Sequence, residues 1–139
     1  MTTPISSQSA SGASVTFSGI PDTFSDLIFD FDGISHNGAT PSQLRLEVSP
    51  DGVTFSTPFT FTPGYKADQT WRGWYEVLGY GADRGFAAGV VNNAAPADPG
   101  ARTAATLAWE CTGGIGAVRF SWSLAGAMFD AGSFSLSGR

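Results

Sequence analysis

A chain of 139 residues falls in the range of about 100–200 that makes one domain, and 42% hydrophobic residues are enough for a core without metal or disulfide staples. Charge is scarce at 14%, against roughly 25% in ordinary globular domains, and the balance is acidic, with 7 Lys and Arg against 12 Asp and Glu. With so few cations and no basic run, phosphate contacts have little to work with, so neither nucleic acid nor an anionic membrane surface is an expected partner.

Residues 1–12 are rich in Ser and Thr and read as a flexible or docking arm ahead of one domain, 13–139. They lack the basic and apolar regions of a signal peptide, and no apolar run nears the ~18 residues of a membrane span. Residues 13–18 open the strands, with Val15 and Phe17 on one face and Ser14, Thr16 and Ser18 on the other. In 26–32, Leu27, Phe29 and Phe31 share one face and Ile28, Asp30 and Asp32 the other. A polar loop is expected over 33–41.

Residues 43–49 put Leu44, Leu46 and Val48 inward and Arg45 and Glu47 outward. Ser49-Pro50-Asp51-Gly52 is a turn signal, with 53–55 returning as a hairpin. Phe59 and Phe61 mark a short strand. The densest aromatic segment, 71–80, predicts a strand with Trp71, Gly73, Tyr75 and Val77 on one face and Trp74, Glu76 and Leu78 on the other. Strands follow over 86–92, 103–110, 115–124 and 133–137, with a long loop over 93–101. Turn signals recur near the about 8–12 residues typical of sandwiches and barrels. The expected fold is all-β, a two-sheet antiparallel β-sandwich.

Catalytic chemistry is poorly supplied. His36 is the only histidine, in a polar loop where solvent exposure is expected, and no Gly-x-Ser-x-Gly elbow accompanies it. One His and one Cys cannot assemble an ordinary zinc site. The lone Cys111 excludes an internal disulfide, reads as a buried thiol and suits a reducing compartment. Asp30 and Asp32 are two residues apart but lack the calcium-loop pattern, so they read as the solvent face of a strand. Glu76 is the best-placed lone carboxylate for acid catalysis, while Glu47 and Glu110 read as ordinary outward positions. No catalytic residue, metal or cofactor is expected.

The aromatic segment points to binding. Trp71, Arg72, Trp74, Tyr75, Tyr80, Asp83 and Arg84 fall within fourteen residues, counted from 71 to 84. Aromatic faces stack on the C–H faces of sugars, and aromatics with Arg also anchor protein interfaces. Because strand faces alternate, one of the Trp71/Tyr75 and Trp74 sets belongs to the core and the other to a glycan-binding or interface surface.

Three segments carry a family likeness. The opening from Val15 to Leu27, with Phe17, Gly19-Ile20-Pro21, Asp26 and Leu27, resembles the F-x-G-I-P-x-x-Y-x-D-L start of many tailed-phage virion proteins. The end from Phe129 to Arg139 resembles their F-x-x-G-x-x-x-L-Y-G closing strand, with Ser137 where Tyr is common. Ser49-Pro50-Asp51-Gly52-Val53-Thr54-Phe55 resembles the S-x-D-G-x-x-[FW] hairpin of jelly-roll carbohydrate-binding domains. Residues 56–110 carry no part of the likeness.

The resemblance implies a jelly-roll domain of a phage or gene-transfer particle, made in the bacterial cytoplasm and found in the virion. It implies a head-spike or tail-fibre protein that binds host-surface polysaccharide, contacts other virion proteins and associates with copies of itself, as a trimer. Two other roles fit the same features: a purely architectural capsid-decoration or spike-base protein, and the carbohydrate-binding module of a carbohydrate-active system.

Overall fold

The computed structural model describes residues 2–55, 59–60, 66–67, 69–78, 84–93, 102–110 and 115–139, with 59–60, 78, 84–93 and 102–110 described by their backbone. Ten strands and no helix occur among them: β1 (Thr3–Ser9), β2 (Ser14–Phe17), β3 (Asp26–His36), β4 (Leu44–Ser49), β5 (Phe59–Thr60), β6 (Trp71–Leu78), β7 (Arg84–Asn93), β8 (Arg102–Glu110), β9 (Ala117–Trp122) and β10 (Phe129–Gly138). The chain doubles back between β4 and β5. This pairs β4 with β5, β3 with β6, β2 with β9 and β1 with β10, all antiparallel. Rolling that ribbon adds the β3·β10 and β4·β9 pairs. The β7–β8 hairpin extends one sheet past β6.

The product is an antiparallel β-sandwich of a six-stranded sheet, β1-β10-β3-β6-β7-β8, and a four-stranded sheet, β2-β9-β4-β5. The alternating faces supply the core. Leu27, Phe29, Phe31, Tyr75, Val77, Phe134 and Leu136 come from the first sheet, and Val15, Phe17, Leu44, Leu46, Val48, Val118, Phe120 and Trp122 from the second. A run of rings joins the sheets: Phe17–Phe29 at 5.5 Å, Phe29–Phe120 at 5.3 Å and Phe120–Phe134 at 4.7 Å between centroids. Such contacts add to the transfer of apolar area from water.

Four expectations are corrected. The N-terminal arm is a strand over Thr3–Ser9, because its backbone completes the ladder of β10 although its side chains bury little. The loop expected from residue 33 begins later, since β3 runs on to His36 through a bulge. There Gly33 (φ 67°) meets Gly132 (φ 91°), and both need the left-handed backbone that glycine tolerates. Residues 53–55 do not return as a strand. Asp51 Oδ1 accepts from the backbone N–H of Val53 (2.8 Å) and Thr54 (2.9 Å), which curls the chain, and β5 forms only at Phe59–Thr60. Glu47 is buried, because Arg119 donates to both of its carboxylate oxygens (3.3 and 2.8 Å) and Phe55 lies 3.9 Å from that guanidinium.

Candidate functional site

The strand pattern of β6 sends Trp71, Tyr75 and Val77 into the sandwich and leaves Arg72 and Trp74 outside. Trp71 is 4% and Tyr75 0% exposed, whereas Trp74 is 39% exposed. Trp71 and Tyr75 are thereby corrected from candidate ligand residues to core residues. Tyr75 stacks on Phe31 at 6.1 Å, and burial pushes its phenol well above the usual value. Tyr80 and Asp83 lie outside the described residues. Arg84 starts β7 with its backbone opposite Glu110.

Strand register builds a polar surface beside Trp74. Asp30 of β3 stands directly opposite Trp74. Ser135 of β10 stands opposite Asp30, and Ser7 of β1 opposite Ser135. One row across four strands therefore reads Ser7, Ser135, Asp30, Trp74. Facing side chains in such a row have Cβ atoms about 4.5–5.5 Å apart, roughly the width of a sugar ring. A neighbouring row pairs Ser9 with Ser133 and Ser133 with Asp32. Arg72 lies 3.5 Å from Asp32, and both side chains are largely exposed, so the pair orders the rim more than it stabilises the fold.

Asp30, Phe31, Asp32, Arg72, Gly73 and Trp74 line a shallow depression on this outer face. Partial burial beside the indole raises the Asp30 carboxyl above its ordinary value. The carboxylate can accept two hydroxyl hydrogens while the indole takes an apolar ring face. Neither Asp30 nor Asp32 belongs to the residues singled out from the sequence for binding. Alternation marks them as outward, but only the β3–β6 pairing, which spans some forty residues of chain, brings them to the tryptophan.

No family model, curated protein or solved structure matches the chain.

The remaining groups considered for chemistry are engaged elsewhere. His36 is corrected from an exposed loop residue to a fully buried one. Its ring lies 4.7 Å from that of Trp122, and its Nδ1 accepts from the Gly38 N–H at 3.0 Å. The ring thus fills the end of the sandwich. Glu76 is ion-paired with Arg139, which also reaches Asp26 at 3.1 Å. The hydrogen bond that it donates to Asp26, then that to Glu76, raises the Arg139 guanidinium further. Among the described residues, no three His, Cys, Asp or Glu gather as metal ligands. Cys111 lies outside the described residues.

Proposed function

We propose that this chain is a non-catalytic jelly-roll component of a phage or phage-like particle that binds neutral glycan on the host surface. The observation that carries the reading is the exposed Trp74 ring set in line with Asp30, Ser135 and Ser7 on the outer face of the six-stranded sheet. A flat indole beside a carboxylate suits a hexose, whose C–H face stacks while its hydroxyls donate. Asp30 and Asp32 would repel an acidic sugar, which favours a neutral one.

The ribbon pairing of β1·β10, β2·β9, β3·β6 and β4·β5 supports a jelly roll, the double-sheet form built from two Greek keys. The virion assignment rests on the opening and closing segments named above, with partners in other virion proteins and in copies of this chain arranged as a trimer. The architectural alternative, a decoration or spike-base protein, would use the same polar face without sugar.

Competition tests the reading. Soluble neutral polysaccharide from the host should block attachment of the purified protein to host cells. Acidic polysaccharide should not. Attachment insensitive to every neutral polysaccharide would defeat the glycan role and favour the architectural one.

A further inference from the structure

We infer that β1 is an exchange strand, which in the assembled protein pairs with β10 of a second copy of this chain. The strand lies at the edge of the six-stranded sheet, and among the described residues β10 is its only partner in the ladder. None of its seven residues is buried. Ile5 and Gln8 are half-covered and the rest are exposed. Its tie to the body is a backbone ladder of six register pairs, from Thr3 opposite Gly138 to Ser9 opposite Ser133, with one side-chain bond from Gln8 Nε2 to Thr16 O (2.6 Å) and the packing of Ile5 against the core. Any copy of the same segment satisfies that ladder equally.

The seat, by contrast, needs an occupant. Phe134 and Leu136, opposite Gln8 and Ser6, are 1% exposed and belong to the core. Without a neighbour, β10 would become an open edge beside the hydrophobic interior. The segment joining β1 to β2 is four residues, 10–13, of which Ser11, Gly12 and Ala13 are exposed. Gly12 turns it with φ 75°, and a Cβ there would meet nothing within 4 Å. Extending residues 11–13 carries β1 away from its own body and breaks the bond from the Phe129 N–H to Gly12 O (2.9 Å), while Ala10 of the incoming copy would refill the buried seat and restore its N–H bond to Gly132 O (2.9 Å). This is the low-cost route by which identical chains exchange an element and close into a symmetric ring. An apolar-poor, serine-rich segment that reads as an arm and yet sits as a strand is what such exchange requires.

The inference deepens the proposed self-association, and connectivity separates the two. In the full chain carrying Cys111→Ser, Ser7→Cys and Ser135→Cys place two thiols on register partners, at the spacing a disulfide spans. After oxidation at tens of micromolar, denaturing electrophoresis should show covalent dimers or larger rings. Adding Gly12→Ala penalises the closed turn and should raise the covalent oligomer several-fold. An oligomer by light scattering whose disulfides are all within one chain would overturn the exchange and leave self-association standing. A monomer by both measurements would overturn both.

Discussion

Trp71 and Trp74 are three residues apart on one strand, so they point to opposite faces. That parity is legible in the sequence, but which ring faces the core is not. The choice depends on where the second sheet lies, and the packing of Phe29, the register partner of Tyr75, and of Phe134 against Phe120 of the other sheet fixes it. Trp71→Ala should lower stability by about 3–5 kcal/mol, the cost of emptying a buried aromatic site, measured by denaturant unfolding. Asp30 carries a different signature. A carboxyl with a raised folded-state value stabilises the protein below the unfolded value and loses that advantage as pH rises through the folded one. Asp30→Asn should therefore gain stability at pH 7, by no more than about 0.5 kcal/mol for so exposed a group, and gain nothing at pH 3. A loss at pH 7 would mean that the carboxylate is held by favourable partners rather than merely desolvated.

At the scale of elements, strands whose apolar residues alternate are legible almost to their ends. Residues 26–32 and 43–49 were expected as strands from periodicity alone, and Asp26–His36 and Leu44–Ser49 are found. The strand of Thr3–Ser9 has no such pattern, because a pairing carried by backbone leaves no mark on side chains. The bulge of β3 against β10 was hidden for a related reason: two glycines about a hundred residues apart must meet. Gly132→Ala would set a Cβ 2.5 Å from Gly33 C and Ile34 N, besides its φ of 91°. At Gly33 the nearest atom would be 3.9 Å away, so only the backbone term applies. Chemical denaturation should show Gly132→Ala losing at least about 2 kcal/mol and Gly33→Ala about 1 kcal/mol. Equal losses would contradict the close crossing.

At the scale of the whole molecule, the four-stranded sheet and the six-stranded sheet have unlike outer faces. On the former, Glu47, Ser49 and Ser121 are buried and Arg119 is covered by Phe55. On the latter, Ser7, Ser133, Asp30, Asp32, Arg72 and Trp74 are exposed. The candidate site lies on the open face, on β3 and β6, two and three strands in from β1, so exchange of that strand would set a neighbouring copy's Ser7 into the same row. The sequence locates the aromatic segment but not this face, since the row draws on four strands spread from Ser7 to Ser135. The most direct test is titration of Trp74→Ala and wild type with neutral host polysaccharide, alongside thermal melts. Removing the ring should weaken binding by about 5–150-fold, the equivalent of roughly 1–3 kcal/mol for a recognition aromatic, with the melting temperature nearly unchanged. Unaltered binding in a folded Trp74→Ala protein would contradict the account.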